Sequence, residues 1–400
     1  MGRTAYIYVL VNSTTHPYQK EDSVIGYRPQ LDGLRFCAVF FVLFYHYSDW
    51  IRALKLSFTV DMGTFISFFF VLSSYLITTI LLTNKERDES RLKTAYHFLV
   101  RRTLRIFPAY YFYLLLLVLL PYAGWEVRAH INHYIFYLSN FQLYREQVWN
   151  TLTSHLWTLA VEEQFYIVWL WVILLIPNRW LVRVFSLIVV SGVLFRLLYF
   201  WLHKEAATEV IPYIILTPAC VDSFAFGALL AYQHKQGKTL SPLLKKVFLV
   251  VLPVWVLLVA LHCKGILLGF DRVFAEIGSM IIIEGANKGY RNGFGRFLEH
   301  PVTRYLGKIS YGIYLYHLLI PFIFWRIYNL VSAYLLHKRG VDSGGLTIFL
   351  VNPAVSFCLY FMLTVLFASA SWYVLEQPFS KLKSYFRYAI PSKNQATSPR

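Results

Sequence analysis

The sequence predicts an all-α integral membrane protein, a polytopic bundle of about ten transmembrane helices with both termini in the cytoplasm. Three observations predict it. The 400 residues are 57% hydrophobic and only 15% charged, with mean hydropathy +0.49, whereas a soluble domain carries roughly a quarter charged residues over its apolar interior. Apolar runs long enough to cross hydrocarbon as helices, about 20 residues each, recur from Arg35 to Glu376. The basic residues are also lopsided. Of 38 Lys and Arg, 27 fall on segments this topology puts in the cytoplasm and 9 on outer connections, with Arg196 and Arg326 inside spans. That is the positive-inside pattern. The net charge of +17 therefore reads as topology, with membrane lipid as the surrounding partner and no nucleic acid.

The ten spans fall at 34–52, 62–83, 104–122, 157–177, 183–202, 211–233, 247–263, 266–286, 309–331 and 346–374. The eighth is the most polar, with Asp271, Arg272 and Glu276 inside it. Residues 1–26 form an N-terminal cytoplasmic segment whose apolar stretch is too short to span and has no small-residue cleavage pattern after it. Residues 27–380 form the membrane domain, and 381–400 a polar cytoplasmic tail. In the long outer connection, 123–156, the half-apolar HYIFYLSNFQLY is expected to lie at the interface or to re-enter. Cys37, Cys220, Cys263 and Cys358 are scattered in or beside apolar runs, which suits packing rather than a disulfide or CxxC metal framework.

Ionisable groups inside spans are costly and mark candidate sites. In YRPQLDGLRFCAVFFVLFYHY, Arg35 and His46 are eleven positions apart. At about 100° and 1.5 Å per residue they share a helix face, with His46 about 16 Å deeper than the cytoplasmic mouth. A histidine there can act as a general base, its ordinary pKa of about 6.5 letting it take and return protons near neutrality; the alternative is a histidine bonded to a neighbouring helix and merely packed. In HFLVRRTLRIFPAYY, Arg102 and Arg105 share a face and Arg101 pairs with Arg105 at i,i+4. Guanidinium groups at that helix end could grip a phosphorylated ligand from the cytosol, or anchor the helix to lipid headgroups. Glu162 and Glu163 enter the fourth span from its outer end, pointing about 100° apart. One of them could orient His46 or bind a hydroxylated substrate; the alternative is an interfacial acid that stays wet. Asp222 in the sixth span, and Tyr314 with His317 at i,i+3 in the ninth, complete the polar set as candidate substrate contacts. No Walker loop, HExxH or GxSxG occurs, which argues against ATP-driven transport, zincin chemistry and serine-hydrolase chemistry.

Taken together these segments resemble the membrane acyltransferase 3 family, typified by O-antigen and exopolysaccharide O-acetyltransferases. YRPQLDGLRFCAVFFVLFYH is similar to its opening signature, FFVLSSYLIT to its second-span motif and RRTLRIFPAYY to its basic segment. HLWTLAVEEQFY is similar to its tryptophan-to-glutamate signature, and ISYGIYLYHLLI with the late Glu376-Gln377-Pro378 to its C-terminal pattern. The matches run in order from about residue 27 to 380. Two departures stand out. Ser67 occupies the position of the family's usual Asp and Ser74 that of its usual Gly, while Asp61 is out of register. Many members carry a C-terminal soluble esterase-like domain, and this chain resembles the stand-alone class.

The resemblance implies an O-acyltransferase of the cell membrane with no tightly bound cofactor and no metal. An acyl-CoA, expected to be acetyl-CoA, docks from the cytosol on Arg102 and Arg105, with Arg101 and Arg35 nearby. His46 deprotonates the acceptor hydroxyl or carries the acyl group, and Glu162 orients it. A carbohydrate or glycolipid acceptor enters from the outer side, toward Glu163, Asp222, Tyr314 and His317. A rival reading from another class is a proton-coupled transporter of a solute or acyl donor; no inverted repeat or matched pair of broken half-helices supports it.

Overall fold

The computed structural model describes residues 28–48, 64–87, 90–121, 124–203, 213–261, 264–340, 344–386 and 388. Asp61, Cys263, the side chain of Asp271, residues 1–26 and those from 389 onward lie outside the described residues. Among the described residues every regular element is helical. In chain order these are α1 (Pro29–Tyr47), α2 (Thr64–Lys85), α3 (Arg91–Leu119), α4 (Trp125–Ala129), α5 (Ile131–Ile135), α6 (Ser139–Glu146), α7 (Leu156–Leu175), α8 (Asn178–Leu202) and α9 (Val221–Lys235). Then follow α10 (Ser241–Ala260), α11 (Lys264–Lys288), α12 (Gly293–Glu299), α13 (Pro301–Lys308), α14 (Ser310–Tyr316), α15 (Leu319–Arg339), α16 (Gly344–Leu350), α17 (Pro353–Ser371) and α18 (Gln377–Lys381).

Over the described residues the expected spans are helical, but the ninth breaks at His317–Leu318 into α14 and α15, the tenth at Val351–Asn352 into α16 and α17, and the sixth opens on two 3-10 turns before α9. By length and apolarity seven of the described helices are able to cross a membrane: α2, α3, α7, α8, α10, α15, and α17 with its continuation to Tyr385. The other three expected spans fall on α1, α9 and α11. α9 has only 15 residues, while α1 carries Asp32, Arg35 and His46, and α11 carries Arg272, Glu276 and Glu284. Their shortness or polarity follows from the groups they bring inside. Of the apolar window of α2, 61% is buried in the protein, against 6% of that of α10. α2 is thus a central helix, whereas α10 turns Leu249, Val250, Val254 and Leu257 outward, as expected where the surrounding solvent is lipid.

Close backbone approach fixes the two contacts that frame the interior. α9 lies on α2 at Gly227, where a Cβ would sit 2.2 Å from the Val71 carbonyl oxygen. Ser74 donates to the Phe224 carbonyl across the same contact at 2.5 Å, the small-residue packing common between membrane helices. At the start of α1, a Cβ on Gly33 would meet the Leu298 carbonyl at 2.5 Å, and one on Gly307 the Asp32 carbonyl at 1.9 Å. Gln30 completes this anchor, accepting from the Tyr290 N–H at 2.8 Å and donating to the Tyr290 carbonyl at 3.0 Å. The outer connection also packs inward. Tyr110 donates to the Tyr134 carbonyl at 2.8 Å, Tyr113 to the Leu152 carbonyl at 2.6 Å, and Tyr134 and Thr153 both donate to the buried Glu126.

A second buried polar cluster joins α8, α9 and α11. Arg196 grips Asp222 through two parallel bonds, 2.9 and 2.5 Å long, with both side chains fully buried. Arg272 donates to the Ile214 carbonyl at 2.8 Å, to the Ala219 carbonyl at 3.1 Å and to Cys220 Sγ at 2.8 Å, while Ser223 donates to Glu276. Removing one partner of such a pair strands a charge in low dielectric, which costs about 3–5 kcal/mol. Asp222→Ala should therefore lower the thermal unfolding midpoint in detergent by many degrees, and an unchanged midpoint would contradict this structural role for the pair.

Candidate functional site

The inner cavity is built by α1, α2, α3, α7 and α14. It encloses about 240 Å³ and is lined by Arg35, Arg102, Arg105, Ser73, Thr158, Glu162, Tyr311 and Tyr314 over an apolar wall from α2, including Phe69, Leu76 and Ile80. Its charges are unevenly compensated. Arg35 donates to Asp32 at 2.6 Å, one turn back on α1. Arg102 lies 3.5 Å from Glu163 and 3.9 Å from Glu162, its guanidinium carbon 3.3 Å above the Tyr166 ring. Arg105 is exposed into the cavity and makes no hydrogen bond or ion pair with any described residue. Asp32, Glu162 and Glu376 act on Arg105 only from beyond ion-pair distance, and a cavity walled by hydrocarbon with such a guanidinium beside two paired ones attracts an anion.

Three histidines pack edge to face beyond this cavity, where the C-terminal end of α1 and the N-terminal end of α7 meet the break between α14 and α15. The His46 and His317 ring centroids are 4.8 Å apart, and those of His317 and His155 5.0 Å apart. Backbone carbonyls set their tautomers, because a carbonyl only accepts. His46 Nδ1 donates to the Val42 carbonyl at 2.9 Å, so its lone pair sits on Nε2. His317 Nδ1 donates to the Tyr314 carbonyl at 2.5 Å and His155 Nε2 to the Leu315 carbonyl at 3.0 Å. His317 Nε2 and His155 Nδ1 have no hydrogen-bond partner among the described residues. Tyr314 donates to the His155 carbonyl at 3.0 Å and bonds Thr158 at 2.6 Å, linking the inner cavity to this cluster. Tyr47 donates to the His317 carbonyl at 2.7 Å. Among the described residues no group of three or more His, Cys, Asp or Glu converges as metal ligands.

On the far side of His46 lies a larger cavity of about 750 Å³, lined by His46, Tyr47, Thr151, Phe322, Trp325, Arg326, Asn329, Ser356 and Tyr360 among others. The histidine cluster thus stands between an arginine-lined space and an aromatic one.

Several sequence candidates meet and others do not. Arg35, Arg102, Arg105, Glu162 and Tyr314 share the inner cavity, whereas His46, packed on His317, lines the second cavity instead. Glu162 was expected to orient His46, but Ser73 and Tyr166 hydrogen-bond to it and Arg102 faces it. The reason is depth. Glu162 lies seven residues along from His155, about 10 Å further from the outer end of α7, level with Arg102 rather than with the histidines. Glu163 likewise serves Arg102. Arg101 points away from the cavity and donates to the carbonyls of Lys383 and Phe386 at 3.0 and 3.2 Å, fastening the C-terminal segment to α3. Asp222 lines neither cavity and is held by Arg196. His155 was missed. Its only signal was a histidine opening the fourth span at the same depth as His46.

Comparison with known proteins bears on this constellation. A family profile described as an acyltransferase domain matches residues 28–373. The chain belongs to this acyltransferase family. Relatives include "Peptidoglycan O-acetyltransferase OatA" of Listeria monocytogenes, 37% identical over 158 residues, which cover 36% of this chain and 24% of that protein. Another is "Putative O-acetyltransferase SAS0844" of Staphylococcus aureus, 27% identical over 386 residues, 89% of this chain and 58% of the relative. The chain thus spans less than two thirds of either relative. No solved structure gives a significant match. The two departures from the family's second-span motif both sit away from the inner cavity lining. Ser74 belongs to the α2–α9 contact, and Ser67 is buried with no hydrogen-bond partner for its hydroxyl among the described residues.

The charge at Arg105, which has no ion-pair partner within reach among the described residues, should be measurable without any reaction. Inorganic pyrophosphate should stabilise the purified protein against thermal unfolding, and Arg105→Gln should weaken that binding about 10- to 100-fold, the loss expected for a charged hydrogen bond. Equal stabilisation of both proteins would contradict an anion site at Arg105.

Proposed function

We propose that the chain is a membrane-embedded O-acyltransferase of the cell membrane, moving an acetyl group from cytosolic acetyl-CoA to a hydroxyl of an extracytoplasmic or lipid-linked carbohydrate. One observation carries the reading: the cavity lined by Arg35, Arg102 and Arg105 and the cavity lined by His46 approach the same histidine cluster from opposite sides. The names of the relatives, which specify O-acetylation and in one case peptidoglycan, support the acetyl group and the carbohydrate acceptor.

At about 240 Å³ the inner cavity is smaller than a typical small-molecule site. It suits the slender thioester arm of the donor, with the phosphates held at Arg105 and Arg102 and the nucleotide outside. Glu162 and Glu163 keep Arg102 aimed, and the apolar α2 wall dries the arm. The reaction needs a base at the thioester end. His46 Nε2 takes the acceptor hydroxyl proton as the oxygen attacks the thioester carbonyl, forming the C–O bond. Collapse of the tetrahedral adduct breaks the C–S bond, and the leaving CoA thiolate receives the proton back from His46. In the covalent variant Nε2 attacks the thioester first, breaking the C–S bond and expelling CoA thiolate; the acceptor oxygen then forms the C–O bond as the acyl C–N bond breaks, and its proton passes to the thiolate by way of the freed Nε2. His317 and His155 hold the cluster in register, and Tyr314 ties it to the donor cavity.

With labelled acetyl-CoA and the protein in lipid discs, His46→Ala should lower turnover by about 10²- to 10⁴-fold while donor binding persists. Replacing Arg102 and Arg105 together should instead abolish donor binding. Normal transfer by His46→Ala would refute the mechanism. Failure of the folded wild-type protein to bind acetyl-CoA would refute the donor and favour transport.

A further inference from the structure

The outer cavity carries a charge that this mechanism does not use. Arg326 lies within the apolar helix α15, whose residues Pro321, Phe322, Trp325, Arg326 and Asn329 recur at helical spacing along the cavity wall. It makes no hydrogen bond or ion pair with any described residue, and among the described residues no Asp or Glu lines the cavity. A charge placed within an apolar helix is costly unless it serves a partner. Anchoring to outer headgroups does not require it, because Lys338 and Arg339 end the same helix about 18 Å further along. The chemistry around it is that of a sugar site. Trp325 donates to the Tyr360 hydroxyl at 2.5 Å, which fixes the indole as a flat wall. Asn329, Thr151 and Ser356 supply short hydrogen-bonding groups, and His46 closes the inner end. Arg326 lies nine residues, about 14 Å of helix axis, from the level of His317. That separation leaves a sugar hydroxyl at His46 and a charged substituent of the same glycan at Arg326.

We propose that the outer cavity is an acidic-glycan subsite, in which Arg326 binds a carboxylate or phosphate borne by the acceptor while the sugar lies against Trp325. This rests on the acyl-transfer reading for its position in the reaction, but its binding chemistry is testable apart from it. A guanidinium pairs with either anion through two parallel hydrogen bonds, so the subsite selects for charge and for distance from the acetylated hydroxyl.

The probes are N-acetylmuramic acid and its neutral amide, and N-acetylglucosamine 6-phosphate and unphosphorylated N-acetylglucosamine. Binding is read by calorimetry, and acetyl transfer in parallel, for wild type, Arg326→Gln and Arg326→Lys, in discs of neutral lipid and in discs containing phosphatidylglycerol. Wild type should bind at least one charged probe about 10- to 100-fold tighter than its neutral twin. Arg326→Gln should erase that preference without weakening the neutral sugar, and Arg326→Lys should keep part of it. Whichever charged probe is favoured identifies the carboxylate or the phosphate as the group bound. Equal binding of charged and neutral twins, or a preference that survives Arg326→Gln, would overturn the inference. So would a preference lost when phosphatidylglycerol is added, since Arg326 would then hold a lipid headgroup. Charge-selective binding at Arg326 without acetyl transfer would sustain the subsite and refute the acyl-transfer reading. Transfer without charge selectivity would do the reverse.

Discussion

A guanidinium group in hydrocarbon must be paired or must be waiting for a partner, and the interior of this protein is organised around that constraint. Arg196 is paired outright, clamped on Asp222 where α8 crosses α9. Arg102 is paired at longer range with Glu162 and Glu163 and laid over Tyr166. Arg35 has Asp32, and Arg105 has no ion-pair partner within the described chain. The gradient from close bidentate pairing to none within ion-pair distance separates the arginine that holds helices together from those that line the inner cavity. It also explains why two carboxylates enter α7 together. Arg102 sits amid two like charges, and one acid alone would leave the cavity more strongly cationic.

The histidine cluster solves a different problem. Three imidazoles buried in a bundle must each be held in one orientation, and here backbone carbonyls do it, two from the preceding turn of the same helix and one from α14. Helices α14 and α15 break at His317 and Leu318, which turns the Tyr314 and Leu315 carbonyls toward imidazoles instead of along a continuous helix. The same break opens the wall of the outer cavity at Pro321 and Phe322. One interruption in the helix therefore orients the histidine cluster and opens the second cavity together.

Much of the fold was legible in the sequence, because burying a backbone in lipid leaves few choices and the apolar runs are long. That Arg102 and Arg105 share a face of α3 and line one cavity followed from helical periodicity. What periodicity lacks is relative depth. Glu162 could be placed on α7 but not levelled against α3, so its partner was expected to be His46 rather than Arg102. Arg101 and Arg105 look alike at the helix end; only the C-terminal segment folding back, with Lys383 and Phe386 offering carbonyls, tells them apart. Asp222 and Arg196 are 26 residues apart on different helices, and nothing local marks them as a pair. His155 escaped notice because a histidine at a span's edge is ordinary until two others prove to be level with it.

The central claim is that donor and acceptor reach His46 from opposite membrane faces. The most direct measurement uses sealed proteoliposomes with a single protein orientation, labelled acetyl-CoA on the cytoplasmic face only, and a membrane-impermeant carbohydrate acceptor on the other face only. Label should appear on the acceptor across the bilayer while free CoA stays on the donor side, and placing both reactants on the cytoplasmic face should give no transfer. Transfer only when donor and acceptor share one face would contradict it.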